Sequence, residues 1–193
     1  VYCWGDNGYG KLGIGNHISS TSTPTMVTLP NDLYAVQLDT SYRRSCVLTN
    51  EGSVYCWGYN NGYLGNGLSV NSYTPTQVLL PFTDKIEKIK VGLDHSCALS
   101  QSGEFYCWGY NTYGQLGTES TWNTNGEIYV PVKADVIGDI LDFDVGRYHT
   151  CVLLTTQSIT CWGYNDQGQL GWGSTSDVSG AHKNVNLNAN SNQ

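Results

Sequence analysis

Apolar and polar residues alternate along this chain in short runs with a period of two, which is typical of strands and not of helices. Three segments show paired runs around a tight turn: residues 45–57, 96–108 and 150–162. The first two turns end in Gly52 and Gly103, as expected where the last loop residue has a left-handed backbone. Gln157 stands at that position in the third hairpin, so we expect strain of about 1 kcal/mol or another turn type there.

Both faces of these hairpins are apolar. In the segment 45–57, Cys46 and Cys56 lie on one face of the hairpin, and Val47 and Trp57 lie on the other. A sheet with one face in water would show polar residues on that face. The hairpins therefore predict sheets that are covered on both sides by neighbouring sheets, as in a β-propeller or a β-solenoid.

A Trp-Gly pair repeats four times at spacings of 53, 51 and 54 residues, and a cysteine precedes it each time: Trp4–Gly5, Trp57–Gly58, Trp108–Gly109 and Trp162–Gly163. A turn rich in Asn and Gly follows and ends in Leu-Gly, and after a polar linker comes a short strand led by proline (Pro24, Pro75 or Pro131). One further strand precedes each hairpin. Four short strands in a repeat of roughly 50 residues predict an all-β protein made of β-propeller blades, each with four antiparallel strands.

The 193 residues hold about three and a half such units on this period. We expect one partial propeller over residues 1–193, with approximate units at 1–33, 34–83, 84–138 and 139–193. From Ser174 onward the proline-led strand disappears. Val185 and Leu187 fit the first strand of another blade, and the remaining residues fit a tail or a link onward.

Six of the seven cysteines stand in pairs ten residues apart: Cys46 with Cys56, Cys97 with Cys107, and Cys151 with Cys161. The turn midway between the members of a pair places them opposite each other, where Cα atoms about 4.5–5.5 Å apart suit a disulfide. We therefore predict three disulfides, each contributing about 2–3 kcal/mol on the chain-entropy model. Reduced core thiols and metal ligands are the alternatives, although the pairs lack the Cys-x2-Cys clusters of zinc sites.

Disulfides predict an oxidising compartment, so we expect a secreted or cell-surface protein. The seventh cysteine, Cys3, precedes Trp4 as Cys56 precedes Trp57. Its partner is therefore expected ten residues before it, upstream of Val1.

The charge of the chain bears on its partners. Sixteen acidic residues against nine basic ones give a formal charge of -7, which disfavours binding to phosphate backbones. Lys85, Lys88 and Lys90 alternate with Glu87, which indicates a solvated strand face and not a basic patch. No apolar run reaches the length of a membrane span. We expect neither nucleic-acid binding nor membrane insertion.

The repeats resemble those of the regulator of chromosome condensation family. The motifs that carry the resemblance are G-L-D-H-S-C-A-L at residues 92–99, Y-C-W-G at 106–109 and G-Q-L-G at 114–117. The second unit departs from them, because Ser41 and Arg44 stand where the other units have glycine and histidine. The resemblance implies a seven-bladed propeller, of which this chain holds about half. It also implies the founding activity of that family, guanine-nucleotide exchange on a small GTPase with chromatin contact.

Candidate chemistry is sparse. His95 and His149 recur at one position in each unit, which favours a structural role over a catalytic one. No nucleophile, base and orienting acid stand at a recognisable spacing, so we expect no catalytic, cofactor or metal site. The connections of variable length, at residues 16–23, 66–74 and 118–129, are better candidates for binding. The longest of them carries our candidate interaction residues, because aromatic loop residues are common interface anchors: Trp122, Asn123 and Tyr129.

Three functional hypotheses follow. We favour a non-enzymatic extracellular or cell-surface module for protein interaction or adhesion, built on a disulfide-bearing propeller. The alternative is a structural subunit of an extracellular fibre or coat, in which open blade edges pair between chains. Nucleotide exchange is the third hypothesis, and it requires a reducing compartment that the paired cysteines oppose.

Overall fold

The computed structural model describes residues 1–81, 84–118, 126–177 and 185. One short 3-10 turn covers Gly8–Gly10. The strands are β1 Tyr2–Asp6, β2 Ser20–Met26, β3 Ala35–Thr40, β4 Arg44–Thr49, β5 Val54–Gly58, β6 Ser72–Gln77, β7 Ile86–Val91, β8 His95–Ser100, β9 Phe105–Tyr110, β10 Glu127–Lys133, β11 Ile140–Val145, β12 His149–Leu154 and β13 Ile159–Gly163.

The strands form four antiparallel sheets, which we number as blades in chain order. Blade 1 consists of β1 and β2, blade 2 of β3 to β6, blade 3 of β7 to β10, and blade 4 of β11 to β13. Each blade is a meander, and the first strands of neighbouring blades contact each other, β3 with β7 and β7 with β11. The prediction of a β-propeller with four-stranded blades is confirmed.

The fourth strand of each blade begins earlier than the sequence indicates. β2, β6 and β10 start three or four residues before their proline, so the prediction that proline leads these strands is wrong. The strand register shifts beside each proline. Because these strands pair on one side only, proline's missing N–H leaves no ladder hydrogen bond unmade.

The cysteine hairpins share one geometry. Disulfides join Cys46 to Cys56, Cys97 to Cys107 and Cys151 to Cys161, each with Cα atoms 4.1 Å apart. Gly52 N–H donates to Thr49 O, and Gln157 N–H donates to Leu154 O, both at 2.9 Å. Gln157 has φ +66° where Gly52 has φ +80°. The third hairpin therefore keeps the turn type and carries the strain.

Neighbouring blades cover both faces of the hairpins in blades 2 and 3, as predicted. The Cys46–Cys56 disulfide packs in one buried cluster with Ile89 and Trp108 of blade 3. The Cys97–Cys107 disulfide packs in the same way with Phe143 and Trp162 of blade 4. On blade 4, Cys151 and Leu153 are half-buried and line an open concavity, so the Cys151–Cys161 disulfide does not lie between two described blades.

The repeated tryptophan closes each interblade interface. The indole N–H of Trp57, Trp108 and Trp162 donates to a carbonyl in the Leu-Gly turn of the preceding blade: Lys11 O at 3.0 Å, Tyr63 O at 3.1 Å and Gln115 O at 3.0 Å. A Cβ atom at Gly13 would lie 2.5 Å from the Trp57 indole nitrogen. Only glycine leaves room for this approach, so the Trp-Gly and Leu-Gly motifs form two sides of one contact.

The residue that begins the second strand of a blade also crosses the interface. Thr150 Oγ1 donates its single proton to Gln115 O at 2.8 Å, so His95 Nε2, 2.9 Å from Thr150 Oγ1, must be the donor there. Burial lowers the pKa of His95 to about 3, which leaves the ring neutral. In blade 2, Arg44 replaces histidine, and its Nη2 donates to His95 O at 2.6 Å.

Lys88 and Lys90 do not form a basic patch, because they pair at the exposed surface with Asp142 and Asp144 of blade 4. One further expectation needs correction. Val185 N–H donates to Ile159 O, which matches the bonds that Val27, Val78 and Ala134 make after the fourth strands of blades 1 to 3. Val185 therefore ends blade 4 and does not begin another blade. Leu187 lies outside the described residues.

Candidate functional site

Two kinds of connection meet at one face of the blades. The loop between the first and second strands ends where β4 begins, and the loop between the third and fourth strands starts where β5 ends. These two points are adjacent because Arg44 and Gly58 are register partners, as His95 and Gly109 are in blade 3. The connections of variable length start on this face.

A buried asparagine shapes each connection between the third and fourth strands. Asn60 Oδ1 accepts a hydrogen bond from Leu64 N at 3.1 Å, and Nδ2 donates to Leu68 O at 2.9 Å and to Val70 O at 3.2 Å. The same bond to leucine is made by the equivalent asparagines of the other blades: Asn7, Asn111 and Asn165. The repeat thus holds these loops by one side chain and leaves their outer residues free to vary.

Tyrosines and arginines cover this face. We call the following residues the tyrosine–arginine face: Tyr9, Tyr42, Arg43, Tyr59, Tyr63, Tyr110, Tyr113, Arg147, Tyr148 and Tyr164. Tyr59, Tyr110 and Tyr164 each follow a Trp-Gly pair directly. The other members come from the two kinds of loop.

The rings between blades 3 and 4 form one continuous cluster. Tyr113 has its ring centroid 4.5 Å from that of Tyr164, 5.4 Å from that of Tyr148 and 6.0 Å from that of Tyr110. The Arg147 guanidinium carbon lies 4.9 Å from the Tyr148 centroid. Such contacts hold the rings and the cation in fixed positions at the surface.

A second cluster lies between blades 1 and 2. The Arg43 guanidinium carbon is 5.2 Å from the Tyr59 centroid and 5.9 Å from the Tyr9 centroid, and these two rings are 5.0 Å apart. Tyr42 is 73% exposed beside them. Burial is the main reason that the pKa of Tyr63 rises to about 12, and a hydrogen bond to Asp166 raises the pKa of Tyr164 to the same value. The Tyr164 hydroxyl thus donates to Asp166, and the Tyr63 ring is buried beneath the surface.

The interaction residues proposed from the sequence are placed differently. Trp122 and Asn123 lie outside the described residues. Tyr129 lies within β10 and not in a loop, next to Gly62 of blade 2, and is 37% exposed. Sequence reasoning missed the tyrosine–arginine face, although a tyrosine after Trp-Gly in three units was a visible signal of it.

The described residues show two further features that bear on function. No three His, Cys, Asp or Glu side chains among them are grouped closely enough to hold a metal ion. None of their helices has the length and apolar character needed to cross a membrane.

Comparison with known sequences identifies the repeat. The profile described as the regulator of chromosome condensation (RCC1) repeat matches residues 1–48, 51–99 and 102–153, and a second profile of the same description matches 35–63, 86–115 and 140–169. The chain belongs to the RCC1 repeat family. Each match to the second profile runs from the first strand of a blade, through its Trp-Gly pair, to the residue before its Leu-Gly pair.

Relatives of this RCC1 chain include large proteins. It is 33% identical over 180 residues to the probable E3 ubiquitin-protein ligase HERC4 of Homo sapiens, covering 92% of the chain and 17% of HERC4. It is 30% identical over 193 residues to the ultraviolet-B receptor UVR8 of Arabidopsis thaliana, covering 95% of the chain and 41% of UVR8. The chain thus spans less than half the length of these relatives.

Solved structures show the same fold. The structure of human WBSCR16 superposes with a TM-score of 0.82 at 25% identity, over 95% of this chain and 46% of WBSCR16. Yeast RCC1 (Prp20), solved bound to Kap60, gives a TM-score of 0.82 at 17% identity, over 98% of this chain and 45% of Prp20. The chain is a disulfide-bearing array of RCC1-type propeller blades.

Proposed function

We propose that this chain is a non-enzymatic protein-interaction module that works in an oxidising, extracellular or cell-surface setting and binds its partner through the tyrosine–arginine face. The observation that carries the proposal is the composition of that face. Tyrosine and arginine are the residues that most often dominate the binding energy of protein interfaces, together with tryptophan. The tryptophan contact between blades is made by other side chains.

The compartment rests on the disulfides. Cys46, Cys56, Cys97 and Cys107 are almost fully buried between blades, and disulfides such as theirs persist in oxidising compartments and are rare where thiols are kept reduced. Six of the seven cysteines of the chain are paired. Alkylation of the purified protein in denaturant should therefore leave these six cysteines unmodified before reduction and modify all six after it. Reaction of these six cysteines before reduction would contradict the proposed compartment.

Photo-crosslinking tests the binding face. Tyr42 and Tyr34 are matched tyrosines, 73% and 63% exposed, and they lie at opposite ends of the first strand and its flanking loops. With benzoylphenylalanine in place of Tyr42, the protein in its native setting should crosslink to a discrete partner protein. The same replacement at Tyr34 should not. Equal crosslinking from both positions, or crosslinking from Tyr34 alone, would show that this face is not the binding surface.

A further inference from the structure

The lysines and the arginines of this chain differ in how their charges are paired. Each of the five lysines that the structure describes forms a salt bridge: Lys11 with Asp6, Lys85 with Glu51, Lys88 with Asp142, Lys90 with Asp144 and Lys133 with Glu104. Lys183 lies outside the described residues. None of the three arginines pairs with a carboxylate among the described residues. In a chain of net charge -7, unpaired arginines call for a physical explanation.

All three arginines are held at the same face by aromatic rings. Arg43 lies over Tyr9 and Tyr59, and Arg147 lies over Tyr148. Arg44 is buried beneath them, with its guanidinium carbon 5.3 Å from the Tyr63 centroid. Stacking engages the flat face of a guanidinium and leaves the N–H groups at its edge available for a planar anion. The rings thus position Arg43 and Arg147 without neutralising them.

A depression joins the blades beside these arginines. Tyr42 of blade 2, Leu93 of blade 3 and Arg147 of blade 4 line a shallow concavity of about 380 Å³. Its lining is aromatic, apolar and cationic. Asp94 lies next to Leu93, and its charge acts on Arg44 and Tyr63, but it forms no salt bridge with any of the three arginines.

We propose that this depression binds the carboxylate side chains of an acidic segment of a partner protein through Arg147, the arginine that lines it. The proposal rests on the proposed interaction function and names the chemistry of its partner. Guanidinium groups bind carboxylates through paired hydrogen bonds, and groups already held in place lose little entropy on binding. The surrounding carboxylates, such as Asp94, Glu127 and Asp166, together with the net charge of -7, repel an extended polyanion. A short segment with few carboxylates between apolar residues fits this charge distribution.

Selection from a random library of displayed 12-residue peptides on the full chain tests the proposal. We expect the selected peptides to be enriched in Asp and Glu. Replacing their carboxylates by amides should weaken binding by about tenfold or more, as should Arg147→Gln. Higher salt should weaken binding to the unmodified chain more than binding to Arg147→Gln.

Lys133→Gln is the matched control, because it removes one positive charge from a lysine already paired with Glu104 at the opposite end of β9 and β10. It should leave peptide binding unchanged, and thermal unfolding of each variant should confirm that the blades remain folded. Selected peptides without acidic enrichment, or ones whose amide forms bind equally well, would overturn the inference. Arginine-dependent binding of heparin without acidic peptides would overturn it too. In these cases a crosslink from position 42 would still support the proposed binding face. The two proposals can therefore fail independently of each other.

Discussion

The interface between blades 2 and 3 and the interface between blades 3 and 4 have the same construction. They differ in the charge of one buried side chain. Each contains a disulfide, a buried leucine and a tryptophan bonded to the preceding turn. At the start of the second strand, Arg44 places a guanidinium in the first interface, and its pKa falls to about 10 through burial, so it remains charged at neutral pH. His95 places a neutral imidazole in the second.

The difference shows what the repeat requires at this position. Arg44 Nη2 reaches His95 O and lies 3.2 Å from Ser96 Oγ, while His95 Nε2 reaches Thr150 Oγ1. Ser96 and Thr150 occupy the same place in successive blades. A donor that reaches the next blade is therefore needed, and its charge is not. The consequence is that the second interface contains a group whose folded pKa lies below its unfolded value, so that acid favours the unfolded chain, and the first interface contains a group that stays charged throughout.

Loss of a tryptophan should damage both interfaces most. Trp108→Ala and Trp162→Ala should each lower the free energy of unfolding by about 3–5 kcal/mol, because each leaves a large cavity. Trp108→Ala also removes the indole donor from Tyr63 O, whereas Gln115 O keeps its bond from Thr150 when Trp162 is replaced. Trp4 is 60% exposed, so Trp4→Ala should cost less than about 1 kcal/mol. Urea unfolding followed by circular dichroism measures all three. A Trp4 variant as unstable as the others would refute the role given to the interface.

Removing one disulfide at a time compares the two interfaces directly. The Cys46→Ala/Cys56→Ala and Cys97→Ala/Cys107→Ala variants should each lose about 3 kcal/mol, since both bridges close loops of the same length. Cys3→Ser should have little effect because Cys3 is unpaired. Unequal losses in urea titrations under non-reducing conditions would show that the buried charge of Arg44 changes the strength of its interface.

Acid should weaken the interface between blades 3 and 4 selectively. The pKa of His95 is about 3 in the folded chain and 6.5 when unfolded, so the unfolded state binds more protons below pH 6.5 and stability falls as the pH drops. The loss between pH 7 and pH 5 should be about 2 kcal/mol. His95→Gln should remove this part of the pH dependence. Burial also lowers the pKa of His149, which adds a smaller loss in the same direction. Hydrogen exchange should show β11 and β12 opening before β3 and β4, and the reverse order would contradict the assignment.

Replacing the arginine of the first interface by histidine should have the smallest effect on stability. Arg44→His should change the free energy of unfolding at pH 7 by less than about 1 kcal/mol, because histidine at this position can donate to Ser96 as His95 donates to Thr150. It should add a second acid-sensitive interface, so the loss of stability between pH 7 and pH 5 should increase. Parallel urea titrations at the two pH values measure this. An unchanged pH dependence would mean that the new imidazole does not occupy the position of His95.

The strands and the cysteine pairs could be predicted because they depend on residues close together in the chain. Alternation places Cys46 opposite Cys56 whatever surrounds the hairpin. The prolines misled the boundary of the fourth strands, because pairing on one side tolerates proline inside a strand. The partners of the two lysines of β7 could not be predicted, because the carboxylates that pair with these lysines belong to another blade.

Sequence alone therefore determined the repeat, the strand order and the disulfide pairing, since each follows from periods of two, ten or about fifty residues. Tertiary structure alone decided which side chains share a surface. Tyr110 and Tyr164 are in consecutive units, and Tyr42 and Arg147 are two units apart, yet each pair lies on one face because the blades stack side by side with the same orientation. Contacts between blades also decide which carboxylates neutralise Lys88 and Lys90, whereas Lys11 and Lys133 pair within their own blades.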